Sequence, residues 1–122
     1  RIYDTTSQDL EYNLYDRLLQ MDLLLADSEE LADIVLRAGS DPQSLTPPER
    51  VRYLAYEDIF YNTWNAAYDA WESGLIGTKQ YELWERFFTA DAARRPKFAW
   101  TENLRFFNPP FIQYVESRVD WQ

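Results

Sequence analysis

The stretch from Tyr53 to Trp71, YLAYEDIFYNTWNAAYDAW, places seven aromatic rings in nineteen positions. At about 100° per residue, Tyr53, Tyr56, Phe60, Trp64, Ala67 and Trp71 fall within about 40° either side of one line along a helix. Ile59, Ala66 and Ala70 border that ridge on one side, Leu54, Tyr61 and Tyr68 on the other, and Asp58, Asn62, Asn65 and Asp69 occupy the back. A helix apolar over more than half its circumference must be covered by several neighbours, so the pattern predicts a central helix in an all-α fold. Such a ridge is first of all core. Buried tyrosine hydroxyls and indole N–H groups need partners, however, so the same rings also suit the walls of an interhelical pocket.

The punctuation around the stretch fixes the neighbouring elements. Thr46-Pro47-Pro48-Glu49 combines a capping residue, a first-turn proline and an acid three residues after the cap, which starts the central helix at Pro47. Gly74 ends it near Ser73, and GLIGT turns the chain into a fourth helix capped by Thr78 and carrying Tyr81, Trp84 and Phe88. Upstream, Leu10, Leu14, Leu18, Met21 and Leu25 form the stripe of an amphipathic helix over about residues 6 to 26, widened by Tyr15, Leu19 and Ala26. Asp27 with Glu30 resembles a capping box for a second helix that runs to about Ala38, with Gly39 as its C-terminal cap. Pro96 and Pro109-Pro110 mark two short helices, residues 96 to 106 and 109 to 119, the second capped by Asn108. The expectation is one domain over residues 1 to 122: a compact antiparallel bundle of about four main helices plus one or two short C-terminal ones, with residues 1 to 8 as a flexible lead-in.

Composition removes whole classes of chemistry. With neither cysteine nor histidine among 122 residues, thiol nucleophiles, zinc-thiolate and imidazole metal sites and the usual near-neutral general base have no residues to work with. No catalytic residue, metal ligand or cofactor is assigned, and an enzyme would have to run on carboxylates alone. A net charge of −9 opposes the phosphate backbone of nucleic acid. The charge is uneven: residues 1 to 36 hold nine carboxylates against Arg1 and Arg17, while residues 86 to 105 hold Arg86, Arg94, Arg95, Lys97 and Arg105 against Asp91 and Glu102. No run approaches the roughly eighteen apolar residues of a membrane span. Because the chain begins with Arg, it is expected to be a processed or excised piece.

Four groups of residues stand out as candidate sites. Glu57, on the shoulder of the aromatic ridge, needs a partner if buried, either a tyrosine or arginine of the fold or a bound cation. Around it, Tyr61, Trp64, Tyr68, Trp84 and Trp100 would form the walls of a small-molecule pocket, with Glu57 or Arg105 as polar contact. Arg94, Arg95 and Lys97 would suit an anion, or else pair with the acidic first and second helices. Phe106, Phe107, Phe111 and Tyr114 would offer an exposed apolar anchor to a partner, or fold back as a helix closing the core. The carboxylates of the first third lack the alternation of a calcium loop and are read as a solvated acidic face.

The order of signals, a leucine-striped helix, QSLTPPER, an aromatic helix ending at SGLIG, YELWERFF, Trp100 and NPPFIQYV, is similar to that of a broad group of uncharacterised bacterial helical proteins. That resemblance implies an N-terminal membrane anchor ahead of the domain and carries no assigned activity. The function expected first is a non-enzymatic accessory or adaptor domain, contacting a protein partner through the aromatics of residues 106 to 114 or through the acidic first helix. The alternative is a sensor with an aromatic interhelical pocket.

Overall fold

A computed structural model describes residues 6 to 121; residues 1 to 5, most of the expected lead-in, and Gln122 lie outside the described residues. Among the described residues the chain is all-helical: α1 (Ser7–Asp27), α2 (Glu29–Ser40), α3 (Pro47–Glu72), α4 (Thr78–Ala93), α5 (Lys97–Asn103) and α6 (Pro109–Arg118), with 3-10 turns at Pro42–Ser44 and Leu104–Phe106. α1, α2, α4 and α5 all pack on α3.

Local chemistry sets most of the boundaries. Thr6 caps α1 by accepting from the Asp9 amide at 3.0 Å while Asp9 reaches back to the Thr6 amide, so residues 6 to 8 belong to the helix start and not to a lead-in. Thr46 and Glu49 make the same reciprocal pair at the head of α3. At its other end Gly74 takes φ +82°, the Leu75 amide bonds to the Ala70 carbonyl at 2.8 Å, and the Gly74 amide bonds to that of Trp71 at 3.0 Å. This is a Schellman closure, and it needs the left-handed residue that glycine supplies without strain.

Three caps differ from expectation by one or two residues. Ser28, not Asp27, heads α2, because its hydroxyl lies 3.1 Å from the Leu31 amide while Asp27 stays in the last turn of α1. Gly39 sits inside α2, whose last turn continues to Ser40 and closes with the Asp41 amide on the Arg37 carbonyl at 2.7 Å. Arg37 holds that turn by reaching Ser44 and Glu49 across the loop. Gly77, not Thr78, is the N-cap of α4, and the Thr78 hydroxyl instead accepts from the Trp71 indole at 3.2 Å. Asn108 holds the N-cap position of α6 without a side-chain bond to the helix.

The aromatic ridge of α3 is core. Tyr53, Tyr56, Phe60, Trp64 and Ala67 are buried, as are Tyr61 and Tyr68 on the flank, and Trp71 is half-buried. Trp64 stacks nearly parallel on Phe88 of α4, centroids 5.5 Å apart, and meets Phe111 of α6 edge-on at 5.9 Å. Trp100 of α5 stacks on Phe107 at 5.9 Å and on Trp121 at 6.1 Å. Rings offset or crossed at such distances add to the area they bury. A smaller cluster, Ile34, Ala38, Tyr53 and Ala99, lies where α2, α3 and α5 meet.

Within α1, Leu14 and Met21 are buried and Leu10, Leu18 and Leu25 half-buried, as the stripe predicts. Tyr15, Leu19 and Ala26, expected to widen it, are exposed. At about 100° per residue they lie roughly 100° to 140° round the helix from Leu14, outside the buried face.

Candidate functional site

Glu57 lies on α3 one turn after Tyr53 of the smaller cluster and one before Tyr61 of the larger, so it marks the seam between the two apolar regions. Only 1% of it is exposed. Its carboxylate accepts from the Arg95 guanidinium, which also donates to Asp91 at 3.1 Å and lies over the Phe60 ring at 4.0 Å. The pairing sets Arg95 against α3 and α4, not against the acidic α1 and α2. Burial pushes the Glu57 carboxyl above its ordinary range, against the pull of Arg95. Glu57 Oε2, Arg95 Nε and the Tyr61 hydroxyl have no hydrogen-bond partner of good geometry. Glu57 and Arg95, but not Tyr61, border a cleft between Val35, Tyr53, Tyr56 and Arg94 that measures about 190 Å³. That volume suits ordered water beside Glu57 and Arg95 and lies below the roughly 300 Å³ at which ligand pockets begin.

The residues expected to wall a pocket do not converge on a cavity. Tyr61, Trp64 and Trp100 are fully buried among other rings, and Tyr68 is nearly so. Glu57, Trp84 and Arg105 border three separate surface clefts. In the basic group, Arg95 is committed to Glu57 and Asp91, Arg94 and Lys97 are exposed, and the Lys97 ammonium stands 5.8 Å from the Trp121 ring. Among the described residues no three carboxylates gather as a metal site requires.

The C-terminal aromatics divide. Phe106 is 69% exposed, with the Arg105 guanidinium over its ring at 4.6 Å. Phe107 and Phe111 are only 8% and 1% exposed and so do not form the exposed anchor; they take the other course weighed for them, closing the core, with Phe111 at the Pro109 start of α6 against Trp64 and Trp100 and Phe107 stacked on Trp100. Tyr114, half-buried, belongs to a bonded chain: the Trp64 indole donates to the Tyr81 hydroxyl at 3.0 Å, the Tyr81 and Tyr114 oxygens lie 2.6 Å apart, and the Tyr114 hydroxyl donates to Glu85 at 2.5 Å.

The exposed apolar surface lies elsewhere. On α1, Tyr12, Tyr15, Leu19 and Leu23 recur at steps of three, four and four and are exposed by 50% to 69%. Beside them on α4, Leu83 and Phe87 are 62% and 42% exposed. The two helices meet where the Tyr15 ring lies 5.0 Å from that of Trp84, and a groove of about 210 Å³ runs between Tyr15, Leu18, Leu83, Trp84 and Phe87. Gln80 closes it by donating to Glu11. Tyr12, Leu23, Leu83 and Phe87 were not anticipated from the sequence. The signal was present, since the apolar residues of α1 form a second stripe opposite Leu14 and Met21, and one helix cannot turn both stripes to the same core.

Among the described residues no helix is long and apolar enough to cross a membrane. Compared with protein-family models, curated proteins and solved structures, the chain matches none.

Proposed function

We propose that this chain is a non-enzymatic protein-interaction domain that docks its partner on the α1–α4 face. The observation that carries this is exposed apolar surface on both helices, Tyr12, Tyr15, Leu19 and Leu23 on α1 and Leu83 and Phe87 on α4, joined at the groove that Tyr15 shares with Leu83 and Phe87, since large exposed patches on small domains mark contact surfaces. The acidic first helix is thus the contact element, and Phe106 is a minor one. The short links between elements favour a compact antiparallel arrangement of the main helices, in which α1 and α4 present this face side by side. An anchor upstream would set the domain at a membrane surface, where an adaptor meets its partner. The sensor alternative has less support, because its tryptophan walls are packed against other rings.

The test places a photo-crosslinking amino acid at Leu19, and at Asn62 on the exposed back of α3 as control, in cells that express the chain. The proposal expects one discrete adduct from Leu19 and none from Asn62, and the adduct's protein should lose at least about tenfold in affinity for the purified Leu19→Ser variant. Equal labelling from both positions, or none from Leu19, refutes it.

A further inference from the structure

The charge around the α1–α4 face selects its occupant. On α1 the outer edge of the strip carries Asp9, Asp16 and Asp27, while Glu11 and Asp22 share the edge that faces α4, where Glu11 lines the groove and accepts from Gln80; Arg17 is the helix's single cation. Exposed apolar groups beside an outer carboxylate row complement a helix whose apolar seam is edged by cations. α4 is mixed, with Lys79 and Arg86 beside Glu82 and Glu85, so the negative field comes from the α1 side. We infer that the face binds a cationic amphipathic helix of a partner protein, its lysines and arginines directed toward α1 and its apolar seam over the groove between Tyr15 and Leu83. This rests on the docking function proposed above and adds the chemistry of the partner.

Geometry sets the length. Tyr12 to Leu23 spans eleven residues of α1, or about 16 Å at 1.5 Å per residue, which a partner helix of about three turns covers with seam residues at i, i+4, i+7 and i+11. The groove between α1 and α4, about 210 Å³, holds one or two of those side chains. Two other occupants fit the apolar strip and fail on charge. A second copy would bring another net −9 chain and a second set of α1 carboxylates against the first. An anionic bilayer would be repelled by the same carboxylates.

The test uses two capped sixteen-residue peptides with leucine at the seam positions, one with lysine at the flanking positions and one with glutamate, titrated by fluorescence anisotropy onto the whole chain. At about 50 mM salt the lysine peptide is expected to bind at least about tenfold tighter than the glutamate peptide, and the gap to narrow below about threefold at 0.5 M. Leu19→Ser and Leu83→Ser should each weaken the lysine peptide severalfold with unchanged thermal unfolding, and Asp16→Lys should weaken it while strengthening the glutamate peptide.

Equal binding of both peptides with sensitivity to Leu19→Ser overturns the charge inference and leaves docking intact. Binding of the lysine peptide that ignores Leu19→Ser and Leu83→Ser also overturns it, as diffuse attraction. If neither peptide binds, the cationic-helix inference falls, and the docking function is judged by the Leu19 crosslink alone. Sedimentation showing a dimer abolished by Leu19→Ser, or flotation with phosphatidylglycerol vesicles abolished by it, assigns the face to a second copy or to a membrane and overturns the inference.

Discussion

Replacing Arg95 by methionine keeps the aliphatic stem over Phe60 and removes the charge that Glu57 faces. Breaking a buried pair from one side typically costs about 3–5 kcal/mol, because the remaining charge has neither water nor partner. The loss has a ceiling, since the protein can instead take up a proton on Glu57. Starting from an ordinary carboxyl pKa of 4.5, that uptake costs about 1.4 kcal/mol per pH unit, or about 4 kcal/mol at pH 7.5 and under about 1 kcal/mol at pH 5. Burial already raises the folded-state pKa of Glu57, so the folded chain holds this proton more tightly than the unfolded one, and its contribution to stability falls as pH rises above 4.5. Removing Arg95 extends that window upward. Urea unfolding followed by tryptophan fluorescence, compared with the parent chain at the same pH, should therefore show a midpoint lowered by roughly 2 M at pH 7.5 and by well under 1 M at pH 5. The double variant Glu57→Leu with Arg95→Met should return to within about 1–2 kcal/mol of the parent, or exceed it. An equal loss at both pH values would refute the reasoning and mean that Arg95 acts through its stem alone.

Trp64→Ala should cost about 3–5 kcal/mol and Trp64→Phe about 1–2 kcal/mol in thermal unfolding, the smaller figure reflecting the lost N–H bond to Tyr81; equal losses would show that the bond contributes most of the effect. Gly74→Ala should destabilise by about 1–2 kcal/mol because φ is +82°, whereas Gly39→Ala, in a helix with open space at the Cβ position, should stabilise by up to about 1 kcal/mol; a gain at Gly74 would contradict the left-handed closure. In an alkaline absorbance titration Tyr53, Tyr56, Tyr61, Tyr68, Tyr81 and Tyr114 should stay protonated past pH ~10, Tyr68 and Tyr81 to about 12, with stability falling as pH rises above the unfolded tyrosine value. Ionisation of all nine tyrosines together near pH 10 without unfolding would contradict this burial.

What the sequence made legible was local. Thr46 with Glu49 and Gly74 act through hydrogen bonds within a few residues, so their roles follow from spacing alone. The ridge of α3 was legible for a related reason, since a stripe that wide has few ways to be buried. Ser28 against Asp27 could not be separated, because both carry capping oxygens and the choice depends on how far α1 continues. The extension of α2 past Gly39 involves Arg37 meeting Glu49, a pairing across a loop that no local pattern announces. Glu57 was expected to need a partner, and an arginine was one of those weighed, but the choice of Arg95 came from the way the α4–α5 turn returns to α3. The outward strip of α1 was visible as apolar residues and misassigned as width, because periodicity reports which residues share a face and not which face meets the core.

The chain from Trp64 through Tyr81 and Tyr114 to Glu85 has a direction. An indole nitrogen only gives a proton and an ionised carboxylate only receives one. Tyr114 spends its single proton on Glu85, so the proton between the two tyrosines must be the one on Tyr81. All three bonds therefore run one way, from the interior outward, and their hydrogens have a single arrangement. Each link joins different helices, α3 to α4, α4 to α6 and α6 back to α4, so that arrangement acts as a key for their mutual register. Glu85→Gln would let Tyr114 accept at the outer end and turn its own proton toward Tyr81, but Tyr81 already accepts from Trp64 and would be left with no acceptor for its proton, so the outward order holds even there.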